Sequence, residues 1–161
     1  MKKMMTITAN DYLMTVAYNG TIYAGFQYQK NGLTIQEVLE RELSKLFGEA
    51  IRVRGASRTD AGVHAYGQRV QFQVKQPKIP FEKMLLILNR TLPGDISIRK
   101  MEPISSDFHC IYHAKKKTYL YQILNQEIKD PFLAPFSWHI SQKLDLKAMN
   151  EAAKFQKKKK N

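Results

Sequence analysis

The chain has 161 residues, 43% of them hydrophobic and 11% aromatic, which excludes a disordered polypeptide and suffices for one main folded domain. Its 26 Lys and Arg against 14 Asp and Glu leave a net charge of +12, which favours a polyanionic partner, nucleic acid first. The single cysteine, Cys110, excludes an internal disulfide and a paired-cysteine metal site.

Lysines 157–160 contribute to that charge, but the chain is strongly basic without them. The opening MKKMMTITANDYLMTVAYNG carries Thr, Asn and Asp where a signal peptide needs an unbroken apolar stretch. No run reaches membrane-spanning length. A soluble, cytoplasmic protein is expected, with no membrane partner.

In chain order, Tyr12 to Tyr18 is rich in β-branched and aromatic residues and ends at Asn19-Gly20, which predicts a strand and a turn. Thr34 and Glu37 have capping-box spacing, and Ile35, Val38, Leu39, Leu43, Leu46 and Phe47 fall on one helical face, predicting a helix that ends near Gly48. Ile51 to Gly55 and Gln68 to Val74 read as strands. Pro80 suits the first turn of a second helix, which Leu92-Pro93-Gly94-Asp95 stops. Ile96 to Met101 and Thr118 to Leu124 read as further strands.

Strand, helix, strand, strand, helix, strand is the ferredoxin-like pattern: an α+β fold whose antiparallel sheet has helices on one face. The open face of such a sheet often binds RNA, as in the RNA-recognition motif, although that motif's Gly-Phe-Gly-Phe signature is absent here. A last helix begins at Leu144 and runs into a basic tail. The expected division is a first domain over residues 1–106, the start of a second over 107–155, and the tail over 156–161.

Three groups of residues carry candidate chemistry. Between two strands, Gly55 to Gln68 reads GASRTDAGVHAYGQ, with Arg58, Asp60 and His64 around Gly62. An ordinary hairpin connection would use the same residue types. The functional alternative is a carboxylate kept ionised beside a guanidinium and used as nucleophile or base. The second group is Lys115-Lys116-Lys117-Thr118-Tyr119-Leu120-Tyr121, either a plain strand or a tyrosine face for an unpaired base with lysines for phosphate. The third, His109, Cys110 and His113, offers too few ligands for a zinc centre, and no metal is expected.

SRTDAGVHA, residues 57–65, resembles the signature of the tRNA pseudouridine synthase A family. AYNGTIYAGFQYQ, TIQEVLE, LNRTLPGDI and FHCIYHAKKKTYLY follow the same family in order, so the resemblance runs from about Tyr12 to Phe155. It implies the N-terminal half of a pseudouridine synthase fold, with Asp60 as catalytic nucleophile attacking the sugar or the base. Tyr119 would stack on the target uracil, and Arg58 would help hold the nucleotide out of the stack. His64 and Lys115, Lys116 and Lys117 are possible RNA contacts. The implied reaction detaches uracil from its ribose, turns it and rejoins it through carbon, with no metal or cofactor. The implied substrate is the 3′ side of the tRNA anticodon stem and loop, bound by a homodimer.

Cys110 and Ile111 stand where the family usually carries Ala and Arg, and isoleucine cannot supply a guanidinium's phosphate contact. The family continues with a second half where this chain reads QKKKKN, so a shortened chain is expected. The alternative to an enzyme is then an inactive RNA-binding fragment.

Overall fold

The structure, a computed structural model, describes residues 7–157, and the lysines of the expected tail beyond Lys157 lie outside the described residues. The chain divides into two units, Met1–Lys115 and Lys116–Asn161.

In the first unit, β1 (Ile7–Tyr18), β2 (Val53–Gly55), β3 (Ala65–Gln73) and β4 (Ile96–Ser105) form one antiparallel sheet in the order β2-β3-β1-β4. Two helices, α1 (Ile35–Phe47) and α2 (Phe81–Thr91), connect β1 to β2 and β3 to β4. This is an α+β fold. Alternation along the strands sorts the side chains to two faces. Tyr12, Met14, Val16 and Tyr18 of β1 join Val70 and Phe72 of β3 in one core with Leu39 and Leu43 of α1 and Met84 and Leu88 of α2. Both helices therefore cover the same face. Each such fully buried side chain contributes on the order of 1.5–3 kcal/mol through apolar burial.

The opposite face holds a smaller cluster of Leu13, Ala56, Ile104 and Cys110, with Phe108 packed against it. Gln71 points to this side. Its amide nitrogen donates to the Phe108 carbonyl at 3.0 Å and its oxygen accepts from the Cys110 N–H at 3.1 Å, so a buried side chain has both ends satisfied. Arg69 on the same strand bridges Thr15 of β1 and Glu102 of β4.

The predicted α1 forms with its cap. Thr34 is extended, its hydroxyl accepts from the Glu37 N–H at 3.3 Å, and the helix stops at Gly48. Glu40 is buried; it accepts from the Val53 N–H at 3.0 Å and pairs with Arg52 at 2.6 Å, tying α1 to the strand that leads into the Asp60 loop. Strand limits differ from the sequence reading for reasons of pairing. β4 runs through Pro103 to Ser105 because it is an edge strand, where a residue without an N–H leaves no ladder partner wanting. β3 starts at Ala65, which pairs with Tyr18 beyond a register shift in the β1–β3 ladder, where three steps along β3 match two along β1.

In the second unit, the strand expected over Thr118 to Leu124 is not formed as such. β5 covers only Ile123–Asn125, paired in parallel with β6 (Trp138–Ile140), and Tyr119 and Tyr121 lie in irregular backbone before it. Alternating aromatics alone do not make a strand; the ladder extends only where β6 offers partners. Neither β6 nor the 3-10 turn at Ala134–Phe136 was expected. The last helix, α3 (Leu146–Lys157), begins two residues later than read, because Asp145 caps it by accepting from the N–H groups of Lys147 and Ala148 at 2.9 and 3.0 Å. Among the described residues no helix is long and apolar enough to cross a membrane.

Candidate active site

The loop that carries Asp60 leaves β2 at Gly55 and re-enters β3 at Ala65. The β2–β3 ladder pairs Gly55 with Val70, and the Ala56 N–H reaches the Arg69 carbonyl at 2.8 Å, so the loop leaves β2 from a paired stem, while the β3 residues before Arg69 pair with β1 alone. At its tip, the Val63 N–H bonds the Asp60 carbonyl at 3.2 Å and Gly62 has φ 77°. That positive φ is what the third position of a type II turn requires, and glycine supplies it without steric cost.

A second loop, between β1 and α1, lies directly against this tip. Tyr18 and Thr59 share a hydroxyl–hydroxyl bond of 2.8 Å, the Phe26 N–H donates to the Thr59 carbonyl at 3.0 Å, and the Gly62 N–H donates to the Tyr23 carbonyl at 3.2 Å. Gly25 sits so close that a Cβ there would fall 2.6 Å from the Thr59 oxygen, and its φ is 93°. The two loops are in backbone contact, and glycine is what permits it.

Asp60 and Arg58 are exposed at the tip, and neither side chain has a hydrogen-bond or ion-pair partner among the described residues. The carboxylate and guanidinium, two residues apart, do not pair with each other. A carboxylate with no internal donor keeps its lone pairs for an incoming group. His64 is partly buried, and its Nδ1 accepts from the Gly20 N–H at 3.1 Å, which leaves the ring proton on Nε2 in this arrangement.

Lys115 is exposed at the end of the first unit; Lys116, Lys117 and Tyr119 are exposed in the second, Tyr119 at 74%. The structure thus gathers Arg58, Asp60 and His64 on one loop and puts Tyr119 on another body of the molecule. Cys110 is buried, its thiol donates to the Arg54 carbonyl at 3.2 Å, and burial pushes its pKa up, so it acts as a small apolar filler with a satisfied proton. Ile111 is exposed. His109 and His113 join no group of three or more metal-ligating side chains among the described residues.

Tyr18, Tyr23, Thr59 and Asp95 support the loop or its neighbour between β1 and α1, Gln71 holds residues 108–110, and the sequence reading gave none of the five a role in a site. The available signal was indirect: Tyr18 and Tyr23 lie in AYNGTIYAGFQYQ and Asp95 in LNRTLPGDI, stretches that carry the family resemblance but give no sign of their contacts.

Comparison with known proteins bears on the same residues. A family model described as tRNA pseudouridine synthase matches residues 14–113, which include both loops and the whole Asp60 turn. The chain is 43% identical over 143 residues to tRNA pseudouridine synthase A of Thermoanaerobacter sp. (strain X514), covering 89% of this chain and 58% of that protein. It is 43% identical over 146 residues to tRNA pseudouridine synthase A 2 of Bacillus cereus (strain ZK / E33L), covering 90% and 59%. With the same-named protein of Ruminiclostridium cellulolyticum, tRNA pseudouridine synthase A, it shares 44% over 140 residues, covering 87% and 57%. The chain thus spans somewhat under two thirds of the length of these relatives. With the Asp60 loop, its supporting loop and most of the sheet beneath them inside the matched region, the chain belongs to the tRNA pseudouridine synthase family.

Proposed function

We propose that this chain carries the nucleophile-bearing part of a tRNA pseudouridine synthase, an isomerase that converts uridine in tRNA to pseudouridine, with Asp60 as the nucleophile. The observation that carries the reading is the Asp60 carboxylate itself: it stands free at the tip of a loop that is held on both sides, inside the region shared with the family. Strand order β2-β3-β1-β4 with both helices on one face supports the ferredoxin-like form of the fold.

The chemistry asks for little more than this chain's residue types. Asp60 attacks the sugar or the base, the bond from uracil nitrogen to the ribose anomeric carbon breaks, and the freed ring turns. A bond then forms from that carbon to C5 of uracil as the bond to Asp60 breaks, which returns the carboxylate, and the freed ring nitrogen takes up a proton. The hydrogen on C5 leaves to solvent, so atoms and electrons balance without a metal or redox cofactor. Arg58, without an internal partner, is available to a phosphate or to the gap left by an extruded nucleotide. Tyr119 offers an exposed ring for stacking on the uracil, and lysines 115–117 and His64 are the candidate RNA contacts in the proposal. Extrusion costs a few kcal/mol, which stacking and phosphate contacts offset. In this reading the uridines lie on the 3′ side of the anticodon stem and loop, the working form is a homodimer, and the setting is cytoplasmic.

The test uses unmodified tRNA tritiated at C5 of uridine. Turnover releases tritium, and Asp60→Ala is expected to reduce that release by at least about a thousandfold while leaving the fold intact, since the Asp60 side chain has no hydrogen-bond or ion-pair partner among the described residues. Equal release from the Asp60→Ala chain would remove Asp60 from the role. Salt-sensitive tRNA binding without any release would favour the RNA-binding reading of the chain over the enzyme.

A further inference from the structure

AYNGTIYAGFQYQ and LNRTLPGDI have no part in the proposed chemistry, yet the first bonds the Asp60 turn and the second reaches it through Tyr23. On the near side of Asp60, Thr59 is held twice, its hydroxyl by Tyr18 at 2.8 Å and its carbonyl by the Phe26 N–H at 3.0 Å. On the far side, the Gly62 N–H reaches the Tyr23 carbonyl at 3.2 Å. Tyr23 is itself tethered: its hydroxyl donates to Asp95 Oδ1 at 2.8 Å, and the Asp95 carbonyl accepts from the Asn19 N–H at 2.9 Å. Asp95 belongs to the Leu92-Pro93-Gly94-Asp95 stop that follows α2.

Both tyrosine rings are buried, at 4% exposure each, so their hydroxyls have fixed directions and little water to exchange with. Burial together with the bond to Asp95 pushes the Tyr23 hydroxyl far above its ordinary pKa, in keeping with a permanent donor. A tyrosine needed only to fill the core would be served equally well by phenylalanine. Here one hydroxyl ends on the residue before the nucleophile, and the other secures the carbonyl that holds the residue two beyond it.

We infer that Tyr18 and Tyr23 are positioning residues for Asp60, Tyr18 acting through Thr59, and Tyr23, tethered by Asp95, acting through Gly62. The inference rests on the reading of Asp60 as nucleophile. The exposed carboxylate has no side-chain contact to orient it, so its direction is inherited from the backbone at these two flanks. Displacing a reacting group by 1 Å can cost about a hundredfold in rate, so the flanks matter to the reaction and not only to the fold.

The test follows tritium release by the full chain and, separately, amide hydrogen exchange at Gly62. Tyr18→Phe and Tyr23→Phe should each lower kcat about tenfold with KM within about twofold, the pattern of a group that matters in the transition state. Thr59→Val should match Tyr18→Phe, the two together should cost little more than either alone, and Thr59→Ser, which keeps the hydroxyl, should return kcat to within about twofold. In Tyr23→Phe, exchange at Gly62 should quicken about tenfold in a protein that still melts cooperatively. Unchanged kcat in both phenylalanine variants, or a rise in KM alone, would overturn the inference. If the unsubstituted chain releases no tritium, the proposed activity of this chain fails, and exchange decides the tether by itself: faster exchange at Gly62 in Tyr23→Phe upholds it, and unchanged exchange overturns it.

Discussion

The Asp60 loop and the Tyr119 segment are the two stretches to which the proposed chemistry is assigned, and they are built in opposite ways. Around Asp60, Thr59, Gly62, Val63 and His64 all have hydrogen-bond partners, from the turn itself, from the end of β1 or from the loop between β1 and α1, while the Asp60 carboxylate is left bare. Around Tyr119, lysines 115–117, Leu120 and Tyr121 are exposed, and no regular secondary structure forms until Ile123. A nucleophile must be aimed before substrate arrives, and aiming it takes a rigid backbone; a stacking ring gains its geometry from the base it meets. The difference teaches that preorganisation in this chain is concentrated at the residue to which the proposal assigns the covalent bond.

That contrast can be broken most sharply at Gly25. Gly25→Ala would bring a Cβ within 2.6 Å of the Thr59 oxygen at a residue with φ 93°, so either the loop or the turn must move. We expect a loss of about 2–3 kcal/mol in stability, read by denaturant unfolding, and tritium release reduced more than stability alone explains. Next, Gln71→Ala would strand the Cys110 N–H and the Phe108 carbonyl in a buried site, costing about 1–3 kcal/mol by the same unfolding measurement. Because it loosens residues 108–110 and not the Asp60 turn, Gly62 exchange should stay at its original rate.

Tyr119→Ala should do the reverse of both. With its ring 74% exposed, stability should change by less than about 0.5 kcal/mol, whereas tRNA affinity should fall by about 1–3 kcal/mol, the usual worth of one stacked base. The smallest effect concerns Glu102. Hydrogen bonds from Lys100 and Arg69 hold its carboxyl below the ordinary value of 4.5. A depressed folded pKa stabilises above the unfolded value and is lost as pH falls through the folded one. Glu102→Gln should therefore cost no more than about 1 kcal/mol near neutrality, with the gap to the parent chain closing below about pH 4.5.

The sequence was most legible where information is local. α1 could be read with its cap because Thr34, Glu37 and the apolar stripe lie within a few turns of one another. The same holds for the Asp60 turn, whose glycine announces it. Legibility failed where a strand depends on its neighbour. The aromatic alternation at Tyr119 and Tyr121 resembles a strand, but the ladder forms three residues at a time around Ile123, opposite a segment that showed no strand signal. It failed as well for Gln71, whose type gives no hint that it is buried or that Phe108 and Cys110 depend on it.

By itself the sequence determined the family, the loop that bears the carboxylate and the helices that back the sheet, since these depend on residue types at short spacings. Only the tertiary structure decided what holds that carboxylate in place. Tyr18 lies 41 residues from Thr59 and Tyr23 lies 72 from Asp95, and hydrogen bonds across such intervals exist only once β1 has been laid between β3 and β4. Their directions follow from the packing of the buried rings, which no periodicity along the chain encodes.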